Sequence, residues 1–133
     1  MNKLDLCKKA IDATTYSYSP YSNCKVGAAL LTKSGKVYTG CNIENASFSA
    51  TICAERVAFS KAVSEGEKDF EAIAVVGKID NNIKVFTPCG VCRQVMTEFC
   101  DGDFKIFVVT GENSFNEYTL SQLLPNSFAL KEK

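Results

Sequence analysis

Three thiols and a carboxylate fall in two short packets, Cys53-Ala54-Glu55 and Pro88-Cys89-Gly90-Val91-Cys92. A fold that uses them together must carry two distant stretches of chain to one point. Cys89 and Cys92 stand at i and i+3, a spacing that turns both side chains to one side of the first turn of a helix. Cys53, at the head of another helix, supplies a third corner of a tetrahedron. Zinc that does chemistry keeps three protein ligands and an open fourth position, whereas structural zinc takes four. Glu55 is then placed to handle protons at the open position. Plainer readings use the same residues. A structural site needs a fourth ligand, for which Cys41 and Cys100 qualify by composition alone in a chain without histidine. A redox C-x-x-C leaves Cys53-Ala54-Glu55 without a purpose. Glu55 alone reads equally as an acid favoured by a helix dipole.

The chain around the packets alternates periods. Leu4, Cys7, Ile11 and Tyr18 give residues 3–18 a helical stripe, with Asn2 as N-cap and Ser19-Pro20 as the stop. Val26–Thr32 and Lys36–Cys41 read as strands joined at Ser34-Gly35, and Asn42-Ile43-Glu44-Asn45 as a polar loop. A helix from Cys53 to Glu65 turns Ala54, Val57, Ala58 and Ala62 inward and stops at Gly66. Ala72–Val76 is an unbroken apolar run, as in a central strand covered on both faces. Asp80–Lys84 reads as a surface loop. Cys89–Cys100 is a second helix, with Val91, Val95 and Phe99 on one face. Ile106–Val109 is another buried strand, and the short connection after it returns Glu117-Tyr118-Thr119 antiparallel. Leu120–Leu124 is a helical turn ended by Pro125. The class is α/β: a mixed five-stranded sheet covered by helices, with right-handed crossovers around the two central helices. Both packets then begin helices that follow strands, where ligands gather and where the helix dipole stabilises thiolates.

The 133 residues suffice for one domain, 1–133. Formal net charge is zero and no basic run is present, which argues against nucleic-acid and anionic-membrane partners. Met1-Asn2-Lys3-Leu4-Asp5 turns polar at once, so no signal peptide is expected, and no apolar run approaches about 20 residues. Seven cysteines without a secretory signal read as reduced thiols of a cytoplasmic protein. Three thiolates overcompensate a divalent ion. Arg56, next to Glu55, reads as the cation that corrects the charge, with a surface salt bridge as the plain alternative.

Pro20-Tyr21-Ser22, Val26-Gly27-Ala28-Ala29-Leu30, Gly40-Cys41-Asn42-Ile43-Glu44-Asn45-Ala46, Cys53-Ala54-Glu55-Arg56, Pro88-Cys89-Gly90-Val91-Cys92-Arg93-Gln94-Val95 and Leu123-Leu124-Pro125 together cover most of the chain. They resemble the cytidine deaminases of the short, homotetrameric, zinc-dependent type. The packets alone match the wider group of zinc deaminases. The resemblance implies a three-layer fold, one zinc per subunit on Cys53, Cys89 and Cys92, and Glu55 as proton shuttle. It implies that Asn42 and Glu44 hold the sugar hydroxyls of a free nucleoside and that the backbone at Ala54 helps hold the pyrimidine. It implies that Phe128 reaches a neighbouring subunit's site. The reaction would convert cytidine and 2′-deoxycytidine to their uridine forms with release of ammonia, as in pyrimidine salvage. Without the resemblance, Asn42 and Glu44 read as turn residues and Phe128 as packing of the tail. Two positions depart from the family pattern: Cys24, where a phenylalanine usually lies against the base, and Phe48, where a tyrosine is common. Cys7, Cys24, Cys41 and Cys100 read as small buried apolar residues.

Overall fold

The computed structural model describes residues 1–131. Helix α1 spans Lys3–Ala13, and the Asn2 side chain accepts a hydrogen bond from Leu4 N to cap it. The helix stops earlier than its apolar stripe predicts. The Thr14 and Thr15 hydroxyls fold back onto Ile11 O and Asp12 O, the chain tightens into a 3₁₀ turn at Thr14–Tyr16, and Tyr18 leaves the stripe to bridge Ile43.

Strands β1 (Cys24–Thr32) and β2 (Val37–Cys41) form the expected hairpin. Helix α2 (Ala54–Ser64) leads to β3 (Phe70–Ile79), and β4 follows at Asn82–Lys84. Helix α3 (Gly90–Phe99) precedes β5 (Lys105–Gly111), β6 (Ser114–Thr119) and the short helix α4 (Leu120–Leu123). The sheet runs β2-β1-β3-β5-β6. β3 and β5 are parallel; β1 is antiparallel to β2 and β3, and β6 to β5. This is the mixed five-strand path, with β4 added as a sixth strand against the end of β3. The segment expected to be a loop at Asp80–Lys84 is a tight hairpin instead. Asp80 and Asn81 both take positive φ (53° and 62°), which matches the right-handed twist of the strands they join.

The sheet is covered on both faces. Leu6, Cys7 and Ala10 of α1 pack on Ala29, Leu31, Ala74, Val76, Phe107 and Val109. Alternate residues of the same strands, Ala28, Leu30, Ile73, Val75, Ile106 and Val108, pack on α2 and α3. That is three layers. Phe59 of α2 anchors the second face, with Phe70, Phe99 and Phe104 at ring separations of 5.0, 6.1 and 6.2 Å. The inward face of α3 is Cys92, Met96 and Thr97. Val95 and Phe99 pack against the core, but Val91, expected beside them, is 58 % exposed. Turning Cys92 inward rotates Val91 out.

Candidate metal centre and nucleoside cleft

Cys53 and Cys89 occupy the N-cap positions of α2 and α3, both in extended backbone. Neither thiol folds back to cap its helix. Cys92, in the first turn of α3, lies behind them and is buried. The three Sγ atoms lie within 4.8 Å of one another, with Cys53 and Cys89 3.7 Å apart. Among the described residues no fourth histidine, cysteine, aspartate or glutamate joins them, so neither Cys41 nor Cys100 closes a four-ligand site.

The cluster fits a soft divalent cation. The Cys53 thiol is held down to about 5, first by hydrogen bonding from Cys92, then by Arg56 and Cys89, against the cost of burial. Cys92 is pushed up, chiefly by its Cys53 neighbour and by burial. One thiolate therefore forms readily and the next resists, as adjacent like charges require. A bound cation removes that repulsion, and thiolates are ligands that suit zinc.

Glu55, in the first turn of α2, is 4 % exposed. Burial pushes its carboxyl up from the usual 4.5 to about 7, opposed by its own backbone N–H and reinforced by the charge of Cys53. Arg56 Nη2 donates to Cys53 Sγ at 3.5 Å and to Thr51 O at 3.4 Å. Its Nε is buried without a partner, and among the described residues no ion pair takes the guanidinium to the surface.

Cys53, Ala54, Glu55 and Cys89 line a cleft of about 260 Å³. Asn42 and Glu44 line it too, from the loop after β2. Asn42 is 7 % exposed. Its Oδ1 accepts from Ser17 Oγ and from Val26 N at 2.9 Å, and its Nδ2 donates to Cys24 O at 2.8 Å. Glu44 Oε1 accepts from the backbone N–H groups of Tyr21 (3.0 Å) and Ser22 (3.1 Å), and Oε2 accepts from the Ser22 hydroxyl. The Ser22 hydroxyl foremost, with the Ser22 and Tyr21 backbone groups adding to it, holds the Glu44 carboxyl below its usual range against the cost of burial. These bonds fix both side chains in a loop that lines the cleft.

Cys24 lines the cleft and is half-buried. Phe48 lies outside it, 76 % exposed and edge-to-face with Tyr21 at 6.3 Å. Phe128 does not line the cleft of its own chain. It is 66 % exposed, and Gln94 Nε2 of α3 donates to its carbonyl at 2.9 Å.

Three contributors escape sequence reasoning. Ser22 clamps Glu44, and its only signal is its place in Pro20-Tyr21-Ser22. Phe86 lines the cleft with no local motif to mark it. Arg93 binds Pro88 O (2.7 Å), Thr87 Oγ1 (2.9 Å) and Leu123 O (2.5 Å), stapling the strap before Cys89 to α4. Its adjacency to Cys92 was the available clue.

Residues 1–109 match the family model described as the cytidine and deoxycytidylate deaminase zinc-binding region. A cytidine deaminase of Halalkalibacterium halodurans is 47 % identical over 132 residues, 99 % of this chain and 98 % of that protein. A blasticidin-S deaminase of Bacillus cereus is 32 % identical over 92 % of this chain and 89 % of its own length. The crystal structure of cytidine deaminase from Burkholderia pseudomallei superposes with a TM-score of 0.88 at 41 % identity, covering 96 % of this chain and 100 % of that one. With a family model over most of its length and relatives this similar end to end, the chain belongs to the cytidine and deoxycytidylate deaminase zinc-binding family.

Proposed function

We propose that this chain, as a single catalytic domain over 1–133, hydrolyses cytidine and 2′-deoxycytidine to uridine and 2′-deoxyuridine with release of ammonia. The observation that carries the reading is a buried carboxylate, Glu55, in a cleft that Cys53 and Cys89 of the thiol cluster also line. Cys53, Cys89 and Cys92 hold one zinc ion. When bound, zinc supplies the Lewis acidity that makes water a nucleophile at neutral pH. Glu55 moves the protons: it accepts one from the attacking water, gives it to ring N3, and then serves the departing amine. A carboxyl near pKa 7 both takes and releases protons at neutrality, which general acid–base transfer needs.

Asn42 and Glu44 hold the sugar hydroxyls. Asn42 Nδ2 uses one N–H on Cys24 O and keeps the other. Glu44 Oε2 accepts a single bond and keeps a lone pair. The Ala54 backbone holds the pyrimidine, and Arg56 offsets the excess negative charge of three thiolates. A formal net charge of zero and the lack of a basic run favour a free nucleoside over a polynucleotide. The protein works in the cytoplasm, where thiols stay reduced.

The active form is a homo-oligomer, a tetramer, in which Phe128 reaches a neighbouring subunit's site. Its support is exposed apolar surface: Phe128 at 66 %, Val91 at 58 %, and the Tyr21–Phe48 pair beside Glu44 at 54 % and 76 %. Of these, Tyr21 and Phe48 are in contact with each other, and adjoining exposed apolar side chains mark interaction surfaces. Ultraviolet monitoring of cytidine by the zinc-loaded protein tests the reaction, with blasticidin S and a single-stranded oligonucleotide as alternative substrates. No turnover of cytidine or deoxycytidine sinks the reading. Light scattering that finds a fully active monomer sinks the oligomer.

A further inference from the structure

Among the described residues, Phe86 is the one aromatic side chain that lines the cleft with Cys53 and Glu55. It lies two residues before Pro88, on the strap stapled by Arg93, and it is half-buried. Its ring rests on a strand residue that has no side chain. A Cβ added at Gly77 would lie 1.8 Å from Phe86 Cδ2 and 2.5 Å from Cε2. Gly77 is not among the residues with positive φ, so backbone conformation does not demand glycine there. Glycine inside a strand weakens it and marks a close approach, and β3 is paired along both edges. The space left open at Gly77 is the space the ring occupies.

The register extends the argument. Gly77 pairs with Val26 across β1, and Cys24, two residues earlier, faces the same side of the sheet. Cys24, Val26, Val75 and Phe86 all line the cleft. One wall therefore combines a flat ring, held on its Cδ2–Cε2 side by backbone, with a small thiol beside it. A large side chain at position 24 would compete with that ring.

We propose that Phe86, seated on Gly77, is a specificity-determining residue that gives the planar base of the substrate its aromatic contact, in room left by the small side chain of Cys24. The proposal rests on the deamination proposed above. Aromatic contact favours a flat, unsaturated heterocycle over a saturated one. Leucine at 86 keeps apolar bulk but not the π surface.

The chain contains no tryptophan, so Phe86→Trp places a sole indole at the cleft. Uridine, which is not consumed, is titrated into zinc-loaded Phe86→Trp. The expected result is an emission change that saturates at the concentration at which uridine inhibits that variant's turnover. In parallel, Phe86→Leu should raise the KM for cytidine about tenfold, with kcat within about twofold of the parent and the same zinc content. Cys24→Phe alone should also raise KM, and adding Phe86→Leu to it should bring KM back toward the parent value, a non-additivity expected of side chains that share one space. Parental KM in Phe86→Leu overturns the proposal, as does an emission that stays constant while uridine inhibits. If Phe86→Leu fails to fold, the indole titration decides alone. Parent turnover is measured first, so failure of the deamination reading is seen separately.

Discussion

Helices α1 and α4 start differently from α2 and α3. Asn2 caps α1 by accepting from Leu4 N at 2.7 Å, and Thr119 with Gln122 closes a capping box on α4. At α2 and α3 the same position is Cys53 and Cys89, and neither side chain accepts a bond from its helix. A side-chain cap is worth about 1 kcal/mol, so each of these two helices forgoes roughly that much. What it gains is a sulfur directed away from the helix at the positive end of the dipole, where a thiolate is favoured. The burial of Phe59, Met96 and the alanine face of α2 supplies stability that the caps do not. The helix start is thus put to two uses in one molecule: holding a helix together, and placing a thiol in the cluster.

The sharpest way to break that contrast is to remove the ligands. Cys53→Ala, Cys89→Ala and Cys92→Ala should each lose most bound zinc and nearly all turnover, measured by metal analysis beside the cytidine assay. A variant that keeps both has a cysteine outside the ligand set. Glu55→Gln comes next. It should keep its zinc and lose turnover by at least about 10²–10⁴-fold, the usual contribution of a positioned acid–base group; loss of metal in step with activity would make Glu55 a ligand instead. Arg56→Gln removes a charged hydrogen bond to Cys53, an interaction worth roughly 1.5–3 kcal/mol. Turnover near neutrality should fall about ten- to a hundredfold, and Cys53→His, which removes one negative ligand, should partly restore it. Equal activity in Arg56→Gln and the parent would end the charge-compensation argument.

A smaller effect belongs to Glu44. The Ser22 hydroxyl holds its carboxylate in the charged form, so any nucleoside binding that needs the charge is present above the Glu44 pKa and lost as pH falls through it. Ser22→Ala raises that pKa. The acid limb of kcat/KM should therefore move to higher pH, and an unmoved limb would show that the charge is not needed. The smallest change to the site is Asn2→Ala. It should cost about 1 kcal/mol of stability in denaturant with kcat/KM unaltered, since α1 lies on the face of the sheet away from α2 and α3.

The features legible in the sequence were the local ones. Cys89 and Cys92 share a turn whatever the rest of the chain does, Asn2 caps the helix that follows it, and Ala72–Val76 announces a strand buried on both faces. The hairpin at Asp80-Asn81 was hidden because its second strand is three residues long and two of them, Asn82 and Lys84, are polar. The end of α1 was hidden because Thr14 and Thr15 compete for its last carbonyls through their side chains, a choice that periodicity does not record. Glu44 looks like any loop acid until Tyr21 and Ser22 are folded against it. Phe86 was the least visible, because its partner at Gly77 is an absence, and no pattern of residue types encodes an empty place on a strand.

Gly40 carries a consequence for how this protein tolerates change. A Cβ there would lie 2.4 Å from Ala54 O, 2.8 Å from Ala58 N and 2.9 Å from Val57 Cβ. Helix α2 therefore lies with bare backbone on bare backbone, and the height of its first turn above the sheet is set by a contact that no rotamer can relax. In a saturation scan, position 40 should behave like the cysteines although it touches no reacting atom. Even alanine would lift the end of the helix that carries Cys53 and Glu55. Surface positions around the cleft can drift in such a lineage; this one is a fixed shim.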